Sequence, residues 1–236
     1  MMLAAAAAAL ALALAQTASP SPNTAPTSAA ITSQIRFSFE HPQFNPASYI
    51  LLIREDGSGH YQANPVPAPA PKDAEGLPPA PVPPANKGRD IVIRDPLLSA
   101  FFEIAHSHHF FAIACDAPEN HVAFTGKKTV NYAGPDGHGE CTYNWSRDQQ
   151  LNQLANDLMA VAYTIEVGRR LAVEQTHDRL GLDAELEGLQ EAVKDHRALE
   201  LENISSELQS IADDEAVMNR ARKRAQALLN SGGSKH

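Results

Sequence analysis

Nearly every strand-like apolar pattern in this chain lies before Arg147, and the long helical patterns lie after it. Runs of strands followed by runs of helices build an α+β domain rather than a parallel βαβ array. The expected fold is therefore α+β: a small antiparallel or mixed sheet with one crossing helix, followed by a three-helix C-terminal region. The sheet domain is placed at 34–146 and the helical region, packed on or beside it, at 147–230.

Within the first part, Ile35, Phe37 and Phe39 alternate as a half-buried strand requires. Tyr49 to Ile53 is apolar on both faces and suits a central strand, and Asp56-Gly57 turns the chain into a third. The RDIVIRD segment returns to strand. Asp95-Pro96 opens a helix, Asp as cap and Pro in the first turn, with Leu97, Leu98, Phe101, Phe102 and Ala105 as its apolar face. Strands are expected at Phe111 to Cys115, at His121 to Tyr132 with Thr125-Gly126-Lys127-Lys128 folding it into a hairpin, and at Cys141 to Ser146. The glycines of Pro135 to Glu140 read as a loop.

After Arg147, Leu151, Leu154, Leu158, Val161 and Ile165 recur at spacings of three and four, an amphipathic helix running to about Gln175. Leu180 to Asp183 interrupts it and caps a second helix carrying Leu186, Leu189 and Val193. A third opens at Ser206, where Ser206 and Gln209 have capping-box spacing, and runs through Ile211 and Leu228. Arg220, Arg222, Lys223 and Arg224 read as its solvated end, where cations complement the dipole. Residues 231–236 read as a disordered tail.

The chain begins with an unbroken apolar run, Leu3 to Ala15, ending in Ala13, Leu14 and Ala15. That is the form of a cleavable signal peptide over 1–15, cut before Gln16, although no Lys or Arg precedes the run and the Met1-Met2 pair leaves room for a start upstream. The run is shorter than the ~20 apolar residues that span a bilayer, so no integral membrane segment is expected after cleavage. Residues 16–33 are almost entirely Ser, Thr, Pro, Ala and Asn, a disordered linker. A second such stretch, 64–87, holds nine of the 17 prolines and reads as a disordered, solvated insertion within the sheet domain. The expected location is periplasmic or extracellular.

Export bears on the two cysteines. Cys115 and Cys141 are expected to pair in an oxidising compartment, which leaves no catalytic thiol. A net charge of −9 with scattered cations argues against a nucleic-acid partner.

Pro46, Tyr49, Leu51 and Ile53, the turn at Asp56 and Gly57 followed by His60 and Tyr61, and the paired Phe101 and Phe102 form a pattern that resembles a group of uncharacterised exported bacterial proteins. The resemblance runs from about Phe37 to Leu171. It implies a strand, turn, strand and helix in that order and carries no activity.

Chemistry-bearing residues are sparse. Of ten histidines, His106, His108 and His109 sit together, with His121 and His138 nearby. On a helix His106 and His109 would share a face and could reach one metal ion, with His138 or His121 completing the set. No third ligand is set by spacing, and neither H-E-x-x-H nor C-x-x-C is present. Asp136, His138 and Glu140 could form a small acid/base or Ca²⁺ loop, which a glycine turn explains equally well. There is no nucleophile elbow, P-loop or dinucleotide fingerprint. No catalytic residue and no cofactor is expected. The residues favour a non-catalytic envelope binding or structural protein, its partner an envelope protein. The alternative is a His-based metal-binding protein or metal-dependent hydrolase using zinc or another divalent transition metal.

Overall fold

The computed structural model describes residues 32–64, 88–116 and 123–232. The signal run and all of the linker but Thr32 and Ser33 lie outside them, as do 65–87 of the proline-rich stretch. Six strands form one sheet: β1 (Gln34–Glu40), β2 (Ser48–Arg54), β3 (Ser58–Asn64), β4 (Arg89–Val92), β5 (Lys127–Gly134) and β6 (Gly137–Tyr143). Their order is β4-β3-β2-β1-β5-β6, and every pairing is antiparallel. Phe37 lies opposite both Leu51 and Val130, so the apolar members of neighbouring strands fall on one face. Gly57, at a φ of +81°, makes the β2–β3 turn, a conformation that L side chains rarely adopt.

One boundary differs from the composition-based reading: Asn64, read as the first residue of the insertion, pairs with Ser48 as the last residue of β3. Ser33 precedes β1, its carbonyl accepting the Glu55 N–H.

The apolar face is covered by α1 (Leu97–Ser107) and the first half of α2 (Gln149–His177). Contrary to the sequence reading, Pro96 is the cap residue of α1 and lies outside the helix; Asp95, one position earlier, accepts the N–H and hydroxyl of Ser99 at Oδ1. Asp148 caps α2 by accepting the N–H groups of Gln150 and Leu151. At about 1.5 Å per residue, the 29 residues of α2 extend roughly 43 Å and serve two cores. Leu151, Leu154, Leu158, Val161 and Ile165 pack with the sheet. Val167 and Leu171 pack instead with α3 (Leu182–Lys194), α4 (Ser205–Asp213) and α5 (Asn219–Gly232). Gly168 allows this close approach, since a Cβ there would collide with the Ile204 side chain.

The expected third helix is two. Asp214 accepts the Ala216 N–H through its side chain and the Val217 N–H through its carbonyl, a turn that separates α4 from α5. Ser206 forms no capping box; its hydroxyl is bonded to Glu207 within α4. Helix α5 continues to Gly232, into the segment read as a tail.

The basic cluster lies at the opposite end from the one expected. Arg220, Arg222, Lys223 and Arg224 occupy the N-terminal half of α5, where the dipole disfavours cations. Carboxylates of α3 compensate: Arg224 bonds Asp183 and Glu187, and Arg220 pairs with Asp183. Arg222 donates to the Ala212 carbonyl near the end of α4. Burial pushes the Asp183 carboxyl up, but the Arg220 and Arg224 guanidiniums outweigh it and hold it below the usual carboxylate range. A carboxyl lowered by folding contributes stability above its unfolded value, and that contribution is lost as pH falls through the lowered one. Asp183→Asn should therefore be less stable than the parent at neutral pH, with the gap closing as pH drops well below about 4. A gap that stays constant in urea titrations across this range would contradict the assignment.

The other corrections concern the region around the cysteines. His109–Phe111 is a single 3-10 turn, not the start of a strand, and 112–116 is irregular. Strand β6 instead begins at Gly137, inside the glycine-rich loop of the sequence reading. A Cβ on Gly137 would strike the Phe110 ring, and one on Gly139 would lie 2.5 Å from the Phe110 carbonyl oxygen. The glycines thus let a strand carry the 110–112 backbone against it. The Thr125 to Lys128 hairpin is also absent. Lys127 opens β5 opposite Glu40, and the buried Lys128 ammonium donates to the carbonyls of Gly126 and Asn144. Cys115 and Cys141 lie at bridging separation, their Cα atoms 6.0 Å apart.

The β4 edge of the sheet is occupied. Asn203 donates to the Val92 carbonyl and accepts its N–H at 2.9 and 2.8 Å, occupying the free side of β4 as a short strand would. No helix among the described residues is long and apolar enough to cross a membrane.

Candidate functional site

The candidate histidines do not converge. Helix α1 ends at Ser107, and His109 follows with a φ of +52°, so it does not continue the helical face of His106. His106 Nε2 instead lies 3.0 Å from Asp136, which also accepts the Tyr132 hydroxyl at 2.6 Å. That hydroxyl, reinforced by His106, holds the Asp136 carboxyl below its ordinary range. His138 and Glu140 are exposed on β6, alternating with the buried Cys141 and Tyr143, so they project from the face opposite Tyr132 and His106. His121 lies outside the described residues. Among the described residues, no three His, Cys, Asp or Glu side chains are placed to hold a metal ion.

Ser107, His108 and Asp148 form a chain with the order of a hydrolase triad: Ser107 Oγ to His108 Nδ1 is 2.9 Å and His108 Nε2 to Asp148 Oδ2 is 2.8 Å. The hydrogen-bond inventory opposes that role. Nδ1 also lies 2.9 Å from the Ile104 carbonyl, which makes it a donor, and the Ser107 hydroxyl donates to the same carbonyl. A nucleophile needs a ring nitrogen free to accept its proton. The buried imidazole is a brace from the end of α1 to the cap of α2.

The more developed site lies at the other end of the sheet. Phe39 and Tyr49 are cross-strand partners with ring centroids 5.3 Å apart, and Tyr61 follows on β3 at 5.7 Å from Tyr49. These rings, the 43–46 loop and the Met159 to Arg170 stretch of α2 line an open cavity of about 420 Å³, within the usual range for small-molecule sites. The loop is held by His41, which stacks between Phe44 at 4.1 Å and Phe124 at 5.4 Å and accepts the Gln43 N–H at Nδ1. Phe44 is about half exposed at the rim.

Tyr49 is only 7 % exposed, and burial pushes its hydroxyl far above its ordinary range. The hydroxyl forms no hydrogen bond to a described residue. Glu174 Oε2 is the one sealed side-chain polar atom without a partner among those residues. The Tyr49 oxygen therefore reaches solvent, and the cavity it lines provides the opening.

Glu166 forms the wall between this cavity and a second of about 380 Å³ lined by Arg89, Arg169, His177 and Glu207. It is 6 % exposed and accepts the Tyr61 hydroxyl and the Arg169 Nε–H, both at 2.9 Å. Burial, followed by the Glu166 charge, drives the Tyr61 hydroxyl upward and keeps it a neutral donor. Arg170 at the rim is engaged with Glu185 at 2.8 Å and lies 6.0 Å from the Tyr163 ring centre.

Sequence reasoning singled out none of these residues as a site. A signal for Glu166 was present: it is one carboxylate inside the run Ala160 to Gly168, where an acidic residue has no solvent-facing excuse. Tyr49 and Tyr61 were legible as strand residues, but their approach to Glu166, 105 positions from Tyr61, was not. No protein-family model matches the chain, and no curated protein matches it.

Proposed function

We propose that this chain is an exported, non-catalytic binding protein of the cell envelope and that the cavity between α2 and the β1–β2 loop is its ligand site. The observation that carries the reading is the Tyr49 hydroxyl, which bonds no described residue and opens into an aromatic cleft of small-molecule size. A ligand that fills the cleft displaces the water at this hydroxyl and must bond it in turn. The aromatic walls supply contact area, and the pairing of Glu166 with Tyr61 and Arg169 keeps the wall rigid. The ionisable groups here are engaged in structural pairs, which supports binding over acid/base chemistry. Export is supported by the signal-like apolar run and by the bridged cysteines.

The test is ligand-observed and aromatic-resonance NMR with neutral, cationic and anionic small molecules. At least one class should shift the Tyr49, Tyr61 and Tyr163 ring signals saturably. If every class leaves those rings unmoved, or binding maps elsewhere, the cavity is not the site.

A further inference from the structure

The polar groups of this cavity divide into those already satisfied and those left over, and the division points to the ligand. Glu166 is bonded by Tyr61 and Arg169, and Arg170 is bonded by Glu185. The charged groups at the walls are therefore matched within the protein, and no described wall residue carries an unpaired charge to recognise an ion. The unspent groups are neutral: the mostly buried Tyr49 hydroxyl and, exposed at the mouth, the side-chain amides of Gln43 and Asn45, none of which bonds a described residue. Gln43 and Asn45 sit in the loop at the mouth of the cavity, flanking Phe44, with Tyr49 deeper on β2.

Aromatic faces combined with neutral hydroxyl and amide groups suit one class of small molecule particularly well. A sugar ring has apolar C–H faces that lie flat on aromatic rings and a belt of hydroxyls that both donate and accept. A phenol and two primary amides likewise offer both donors and acceptors. A charged ligand would meet only compensated charges, and its desolvation would go unanswered. A purely apolar ligand would leave the Tyr49 hydroxyl unbonded.

Resting on the reading of this cavity as a binding site, we infer that its ligand is a neutral carbohydrate, held by Phe44 and Tyr163 against its ring face and by Tyr49, Gln43 and Asn45 at its hydroxyls.

The test is calorimetric titration of the intact protein with maltose, cellobiose and N,N′-diacetylchitobiose, and in parallel with tetramethylammonium and benzoate as charged probes. At least one disaccharide should bind more tightly than either charged probe. Tyr49→Phe deletes one hydroxyl and should weaken that binding about five- to ten-fold, as loss of one hydrogen bond does. Phe44→Ala, at the exposed rim, should weaken it comparably, while Arg36→Ala on the other face of the sheet should leave it unchanged. Sugar binding that is indifferent to both Tyr49→Phe and Phe44→Ala overturns the inference. So does tighter binding of a charged probe; if that binding moves the cavity tyrosines, the site stands and only its ligand class is wrong. If no probe of any class binds, both readings fall.

Discussion

Leu158→Ala should destabilise the protein by about 2–5 kcal/mol, the range for removing a fully buried leucine side chain from a core that relaxes incompletely. Leu158 is 0 % exposed and belongs to the cluster joining α2 to the sheet. Its neighbours along the helix, Leu154, Ala155, Val161 and Ala162, are all buried, so little mobile material is available to fill the space. Two cores depend on the position of α2, because the same helix presents Val167 and Leu171 to α3, α4 and α5. Urea denaturation should show a lower midpoint, with the slope retained if the transition stays two-state. An unchanged midpoint would mean that this helix face is a surface for another molecule instead of a core.

Cys141→Ala should lower stability by about 3–4 kcal/mol on loop-closure grounds, for a bridge spanning 26 positions. The bridge pins the irregular 112–116 segment to β6, next to three consecutive residues with positive φ, His109, Phe110 and Phe111. Such backbone persists only where its surroundings over-determine it. Here the surroundings are the buried Phe111, the Phe110 ring stacked 5.0 Å from Tyr132, and the disulfide. Thermal and urea unfolding of the variant should match those of the parent after reduction. A variant as stable as the oxidised parent would show that the Phe110 and Phe111 contacts hold the segment by themselves.

The parts of the fold legible in advance are those decided within a few residues. Ile35, Phe37 and Phe39 alternate because a strand has a period of two, and Asp56-Gly57 turns because glycine reaches positive φ. Leu151 to Ile165 repeats at three and four because one helix face is buried. Each of these rests on local geometry, and each is present in the structure. The misreadings share the opposite property. Gly137 and Gly139 signalled a loop, yet they are strand residues kept bare for a segment that arrives from position 110. The arginines of α5 signalled a helix C-terminus, yet carboxylates from α3 stabilise them at an N-terminus.

The candidate site follows the same division. The histidines drew notice because they are adjacent in sequence, but the left-handed backbone after Ser107 separates His109 from the helical face of His106, and strand alternation sends His138 to the other side of the sheet. The cavity residues were individually unremarkable: a tyrosine on each of two strands, and a glutamate and an arginine on a helix. By itself the amino-acid sequence determined the class of the fold, the cysteine pair and the buried stripe of α2, because periodicity and covalent chemistry are local properties. Only the tertiary structure decided which polar groups are spent on one another and which are left over. That depends on contacts such as Tyr61 with Glu166 and Arg170 with Glu185, whose partners come together only when α2 packs on the sheet and α3 packs on α2.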